Sequence, residues 1–375
     1  MAEMTQGTLH PGEARHYRIL IKSVGSAPPA TAAALAKGLG LPTAAVISRL
    51  YRAPAILVDQ IDKPTAQQML ALLSEIGYDA ELQPTSSAAP DLAPLYDVAI
   101  YITEARQLPH AVTTLANFGG LSEADASNMI MSPPGVVLGS VSEATVRAFA
   151  EQMGDGVAIV SSQPKTAHYH LFLADGPSLV RTRIIEAITE AGIPTIDDSG
   201  LIATDLDHTT AQTLWQRYQA SGLLRIVNRD FLRFDLVLQE SQGSDDPTPQ
   251  QLAALEQLAG VPVELAEAVF RSPPITLLEA IPHAEIVECM AAFDAVGLSL
   301  HAELITFQNL GLQVLSLSDQ AVLQRTLEGF GLHQPGSNLP RPPFQIPGVM
   351  PELQARILRA ALEDAGARIA FAEAA

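Results

Sequence analysis

The residues best suited to chemistry are two histidines, two groups of aspartates, one cysteine and four arginines. His168 and His170 stand two apart in an alternating stretch, so as strand residues they share a face on which two imidazoles can ligate a transition metal. No acidic or histidine partner adjoins them, and the plainer reading is two exposed polar strand positions. Asp197 and Asp198, with Asp205 and Asp207 close behind, have the carboxylates for a cation and equally the residue type that caps helices and closes turns. Cys289 falls on an apolar helical face, where a thiol serves as a small core residue. Arg217, Arg225, Arg229 and Arg233 gather at the junction of two segments, either as a docking patch for an acidic partner or as ion pairs with the acidic stretch that follows.

Other catalytic patterns do not occur. There is no phosphate-cradling glycine loop before Lys-Ser/Thr, no Gly-x-Ser-x-Gly elbow and no paired-histidine metalloprotease helix. Gly38-Leu39-Gly40 ends a helix instead of following a strand, so its amides would not meet a pyrophosphate. The sequence therefore predicts a non-enzyme with no cofactor and no metal.

The elements that position these residues repeat. Ile61-Asp62-Lys63-Pro64-Thr65-Ala66-Gln67 recurs 145 residues later as Leu206-Asp207-His208-Thr209-Thr210-Ala211-Gln212, and the same offset carries Gly77 onto Gly222. Offsets of 220 and 289 carry Gly77 onto Gly297 and Gly366, and a weaker copy spans Val141 to Gly154. Each unit opens with an alternating strand whose second position is polar: Tyr17-Arg18-Ile19, Tyr96-Asp97-Val98, Tyr169-His170-Leu171, Phe234-Asp235-Leu236 and Leu312-Gln313-Val314. That second side chain is expected to face away from the unit's helices. A helical run then ends in Gly40, Gly120, Gly192, Gly260 or Gly331, glycine being able to take the left-handed conformation that stops a helix.

A second short helix (Thr43 to Arg52, Val263 to Arg271), a second strand after proline, a long third helix and a closing strand complete the unit. The third helix places apolar residues at i, i+3, i+4, i+7 and i+10: Ala66, Met69, Leu70, Leu73, Ile76, and equivalently Ile286, Cys289, Met290, Phe293, Val296. The single Trp, Trp215, falls on this face too and is expected in a core. Unit 3 shortens its second helix at Asp197 to Gly200, and unit 5 replaces it with the proline-rich Gln334 to Pro343, whose run on to Pro347 reads as an ordered connection or as a ligand for a proline-reading domain.

The expected fold class is thus α+β, five tandem β-α-α-β-α-β units of about 70 residues, each a small three-stranded sheet covered by helices. The units span 14–84, 95–163, 165–230, 231–308 and 309–375, where length alone predicts two or three domains.

Across the 375 residues, 22 Lys and Arg against 41 Asp and Glu leave a net charge of −19, which excludes a general phosphate-backbone binder. By unit the charges are +2, −5, −2, −10 and −1, so the acidity is concentrated in 231–308. A single cysteine admits no internal disulfide, Met1 to Arg15 lacks the apolar run of a secretory signal, and Ser26 to Ile47 is too broken by proline, glycine and Lys37 to span a membrane. These features predict a cytoplasmic protein.

The element order, with Gly38-Leu39-Gly40-Leu41, the helix Ala44 to Arg52, Ala53-Pro54-Ala55 and a last helix ending at Gly77, resembles the C-terminal domain of the bacterial large-subunit ribosomal stalk protein. That family docks translational GTPases through basic residues of its first two helices, and Pro42 stands here where a lysine would follow the turn. Of those docking positions the resemblance carries over Lys37, and Arg49 and Arg52 stand with it as partner-binding candidates in unit 1. The expected function is a non-catalytic scaffold or adaptor that binds other proteins. The alternatives are a translation-linked factor contacting a GTPase through unit 1, and a ligand- or metal-binding protein or enzyme with a site between units.

Overall fold

The computed structural model describes residues 16–196, 200–239, 246–329, 332 and 339–372. Asp197-Asp198, Gly331, Gln334 to Asn338 and the segment Met1 to Arg15 lie outside them.

Five repeats follow in chain order. Repeat 1 comprises β1 (Tyr17–Ser23), α1 (Ala30–Leu39), α2 (Thr43–Tyr51), β2 (Ala55–Ile61), α3 (Lys63–Ile76) and β3 (Asp79–Pro84). Repeat 2 comprises β4 (Leu95–Ile102), α4 (Leu108–Gly119), α5 (Glu123–Met131), β5 (Val136–Ser142), α6 (Glu143–Met153) and β6 (Val157–Ser162). Repeat 3 comprises β7 (Tyr169–Leu173), α7 (Ser178–Glu190), β8 (Leu201–Leu206), α8 (His208–Tyr218) and β9 (Leu224–Asn228). Repeat 4 comprises β10 (Arg233–Leu238), α9 (Pro249–Ala259), α10 (Val263–Phe270), β11 (Ile275–Pro282), α11 (Ile286–Asp294) and β12 (Leu300–Leu304). Repeat 5 comprises β13 (Asn309–Leu317), α12 (Gln320–Gly329), β14 (Phe344–Pro351), α13 (Glu352–Asp364) and β15 (Ala367–Ala372). Repeats 1, 2 and 4 carry the full six-element order. In every sheet the repeat's first strand is central, between its second and third.

The motif that exposed the repeat has a local cause. Asp62 caps α3 by accepting from Thr65 N at 2.9 Å, and Asp207 caps α8 by accepting from Thr210 N at 2.9 Å. Each satisfies an amide that the helix start would leave unpaired, a contribution of about 1 kcal/mol. Gly40 and Gly260 close α1 and α9 at φ 63° and 64°, turning the chain into the following helix. A cis X–Pro bond precedes the second strand at Ala53-Pro54, Pro133-Pro134, Pro273-Pro274 and Pro342-Pro343.

The second strands share a further device. Gln60, Ser140, Asp205 and Ala280 take left-handed φ values of 54° to 61°, and Gly348 stands in their place in repeat 5 with a positive φ of 88°. A non-glycine residue there costs about 1–2 kcal/mol, and the polar second position of the central strand offsets it. Asp97 Oδ1 accepts from Ser140 N at 2.9 Å, and Asp235 Oδ1 accepts from Ala280 N at 2.9 Å. Asp205 N donates to His170 Nδ1 at 3.4 Å, and in repeat 1, where Arg18 has no acceptor, Gln60 N donates to Asp59 Oδ1 at 2.8 Å.

Three expectations are corrected. The second positions are not exposed: Arg18 and His170 are buried and Asp235 nearly so, because neighbouring chain covers that face. Arg18 donates to Gln83 Oε1 at 3.0 Å and to Ala88 O. In repeat 5 the central strand starts at Asn309, and pairing of Leu310 with Met350 and Leu312 with Ile346 puts Gly311, not Gln313, in the second position. Trp215 is 44% exposed, while Ala211 and Leu214 of α8 are buried. Cys289 packs against the repeat 4 core as expected.

Contacts divide the chain into two compact bodies. One holds the residues up to Val98, Pro109–Ser127 and Val137–Asp155; the other holds Ala99–Leu108, Asn128–Val136 and Gly156 onward. In the first body Phe118 packs between Tyr51 (5.8 Å, edge-on) and Phe149 (4.9 Å). Tyr51 OH donates to Phe118 O at 2.6 Å, Thr145 Oγ1 donates to Tyr51 O at 2.9 Å, and Gln152 Nε2 donates to Gly25 O at 3.1 Å. In the second body each of repeats 3, 4 and 5 has its own aliphatic core, centred on Leu171 and Ile188, on Leu236 and Phe293, and on Leu312 and Leu358. Among the described residues no single helix is long and apolar enough to cross a membrane, and α1 and α2, which qualify only as a pair, are bent by 120°.

Candidate functional site

Among the described residues of the second body a dense gathering of charge is built by three repeats. The start of α13 supplies Glu352 and, one turn on, Arg356 and Arg359; β10 and β11 supply Asp235 and Glu279; and β4 supplies Tyr101 from its part within this body. Arg356 spends its guanidinium on three carboxylates. Its Nη2 donates to Asp235 Oδ2 at 2.7 Å, its Nη1 to Glu279 and its Nε to Glu352. Arg359 forks onto Glu279 through Nη2 at 2.8 Å and Nη1 at 3.2 Å. Both guanidiniums stack on the Phe371 ring, at 5.3 and 4.5 Å. Tyr101 OH donates to Glu352 Oε1 at 2.8 Å, and the Arg233 guanidinium lies 5.1 Å above the Tyr101 ring.

Burial sets the protonation of this cluster, and the Arg356 side chain is only 11% exposed. Desolvation pushes Glu352 and Asp235 above the usual carboxylate range, against the opposing pull of Arg356. Glu279 feels the same burial, but the Arg359 hydrogen bonds and the Arg356 charge outweigh it and hold the carboxyl below its ordinary value. For Arg356 burial favours the neutral form and three carboxylates overcome it, raising its affinity for the proton. Burial, reinforced by the Glu352 charge, pushes the Tyr101 phenol far up, so it remains a donor. Burial lowers Arg233. A cavity of about 20 Å³, the room of one water, touches Tyr101, Arg233, Thr306 and Glu352, and a cleft of about 200 Å³ opens beside Thr103, Glu279, Arg356 and Arg359.

The residues singled out from sequence are dispersed by comparison. His168 precedes β7 and is exposed, with Nδ1 3.4 Å from Asp205 O, while His170 is buried with its ring 6.1 Å from that of His283. Burial lowers both His170 and His283. Among the described residues no group of three His, Cys, Asp or Glu side chains is arranged to hold a metal ion.

Arg229 pairs with Asp205 within repeat 3, Arg225 lies 5.5 Å over Phe307, and Arg217 lies 5.2 Å over its neighbour Tyr218. Arg233 is buried, so the four arginines form no common exposed patch. In repeat 1 Arg49 donates to Leu57 O at 2.7 Å and ties α2 to β2; Arg52 and Lys37 are exposed, Arg52 donating to Ser140 O at 3.3 Å.

Sequence reading missed Arg356, Arg359, Glu352, Glu279 and Tyr101. The available signal was Glu352 and Arg356 at i, i+4 with Arg359 three further on, one helical face. Their partners are 77 to 251 residues away along the chain, where no local pattern points.

No family model, curated protein or solved structure matches this chain. The functional reading rests on the molecule itself.

Proposed function

We propose that the chain is a non-catalytic interaction scaffold of the cytoplasm, its repeats resembling the stalk-protein C-terminal domain. The full element order of repeats 1, 2 and 4 supports that likeness. The observation that carries the reading is the set of large aliphatic side chains standing in solvent on helices, concentrated at the α9–α10 corner of repeat 4: Val263 at 63%, Leu265 at 52% and Leu258 at 42% exposure. Aliphatic groups outside a repeat's own core are what a partner covers. Several such repeats on one chain raise the local concentration of binding surface without a strong single site.

A ligand or catalytic site between repeats would call for convergent polar groups with valence to spare. In the cleft beside Arg356 the guanidiniums are instead directed at Asp235, Glu279 and Glu352, which is the arrangement of a lock between repeats 4 and 5. Affinity purification of the intact chain from its native cell, with mass spectrometry of what is retained, tests the proposal. Specific proteins retained in stoichiometric amounts are expected; a bound small molecule with background proteins alone overturns it.

A further inference from the structure

Repeat 3 holds the left-handed residue of its second strand with a group that its sister repeats do not use. Asp97 and Asp235 receive the amides of Ser140 and Ala280 on carboxylates, whereas the matching position of repeat 3 is His170, whose Nδ1 receives the amide of Asp205 at 3.4 Å. An amide N–H can only donate, so Nδ1 carries no proton and the ring is the neutral Nε2–H tautomer. The chemical difference lies in what a proton does to each acceptor. A carboxyl group keeps an acceptor oxygen in either protonation state, but an imidazolium has none.

His170 is also placed where two repeats meet. It is buried, and its ring lies edge-on to that of His283 with centroids 6.1 Å apart, while the His283 ring lies 6.0 Å from Phe234 of β10. His283 opens the 3-10 turn His283–Glu285, and its amide donates to Leu232 O at 3.2 Å. Phe172, Val227 and Leu232 join repeat 3 to repeat 4, with Phe234 and Phe307 packed against them. The charged groups facing the two histidines are Asp205 of β8 and Arg229 and Asp230 of the 3-10 turn Arg229–Phe231. Arg229 already pairs with Asp205, and Asp230 accepts from Ser162 Oγ at 2.6 Å. His168 approaches the backbone of Asp205, its Nδ1 lying 3.4 Å from the carbonyl oxygen.

We propose that His170 is a proton-operated latch at the junction of repeats 3 and 4: as a neutral ring it holds the turn of β8 at Asp205 beside His283, and its protonation frees that amide and loosens β8 and the His283 turn. Burial, joined by the charges of His283 and Arg229, holds His170 below its ordinary value of 6.5 against its own backbone and the pull of Asp205. The open form therefore takes up the proton more readily than the closed one. The latch is shut above 6.5 and opens as pH falls below it, the opening constant rising by at most about tenfold per pH unit for one proton. Such a switch goes beyond the scaffold reading and does not depend on it.

Two measurements on the full chain test the latch. Nitrogen-15 NMR of the imidazoles should find His170 at neutral pH with Nδ1 unprotonated, and a titration should place its protonation below 6.5. A proton on Nδ1 at neutral pH, or protonation at or above 6.5, overturns the proposal without any variant being made. Hydrogen exchange from about pH 7.5 to about pH 5, corrected for the intrinsic rate of each amide, should show β8 losing protection by up to about tenfold per pH unit, while β5, whose turn is held by Asp97, keeps its own. His170→Asn accepts through an amide oxygen and does not titrate, so it should remove the pH dependence of β8; His283→Gln should leave it in place. An equal loss in β5 and β8 means general unfolding, and a dependence that survives His170→Asn but vanishes in His283→Gln belongs to His283; either result overturns the latch.

Discussion

Two junctions between repeats, one in each body, are made by opposite means. In the first body repeats 1 and 2 meet through Tyr51, Phe118 and Phe149 with neutral hydrogen bonds from Tyr51 and Thr145. In the second, repeats 4 and 5 meet through one buried arginine shared by three carboxylates. An aromatic contact of this kind tolerates small displacements and is indifferent to pH. An ionic lattice demands one geometry, because its charges are desolvated and their mutual pairing must offset that cost. The second junction therefore fixes register between neighbours more strictly, at greater risk from any single substitution.

The largest effect expected is at Arg356. Replacing it by Met keeps an unbranched side chain in its place and leaves Asp235 and Glu352 buried without their cation, at a cost of about 3–5 kcal/mol. Urea unfolding followed by the fluorescence of Trp215, the only tryptophan and a residue of the second body, should register the loss. A change below about 1 kcal/mol would reduce the lattice to an ordinary surface ion-pair cluster.

The tyrosines of the two junctions give a matched pair of smaller effects. Tyr101→Phe removes a donor to a buried carboxylate and should cost about 1.5–3 kcal/mol. Tyr51→Phe removes a neutral bond to the Phe118 carbonyl and should cost about 0.5–1.5 kcal/mol. Burial pushes the Tyr51 phenol up to about 12, so both hydroxyls are protonated at neutral pH. Calorimetry of the two variants checks the order, and a larger loss from Tyr51→Phe would reverse the comparison.

How much of this was legible in the sequence depends on the distance over which each feature is determined. The Asp62 and Asp207 caps, the helix-ending glycines and the apolar stripe of α3 are specified within a few residues, and they yielded the five-repeat α+β fold. Trp215 departs from the stripe of α3 because α8 ends in a short 3-10 turn at Gln219–Ser221 and buries only Ala211 and Leu214. Asp235 is legible as the polar second position of its strand, but nothing near it announces that α13, more than a hundred residues on, will cover it. The candidate site is a tertiary fact, and only the i, i+4 pair Glu352 and Arg356 was written locally.

The smallest effect is also the one that separates the junctions by sign. Glu352 has a folded-state proton affinity above its ordinary value of 4.5, so the folded chain holds that proton more tightly than the unfolded chain. Stability from such a group is present below 4.5 and is lost as pH rises through the raised folded value. Glutamine cannot titrate, so the stability of the native chain minus that of Glu352→Gln should fall as pH rises from about 4.5. Taking the difference cancels His170 and His283, which burial lowers and which by themselves weaken the fold on acidification below 6.5. Glu279, lowered by Arg359 and Arg356, runs the other way, its contribution being lost as pH falls below 4.5, so Glu279→Gln should show a difference of opposite slope. At the aromatic junction Thr145→Val should show a flat difference across the same range, because neither Thr145 nor Tyr51 changes protonation there. Parallel slopes for Glu352→Gln and Glu279→Gln in unfolding measured from about pH 3 to about pH 7 would mean that the cluster does not divide its carboxylates into one whose proton burial holds more tightly and one whose proton its cations loosen.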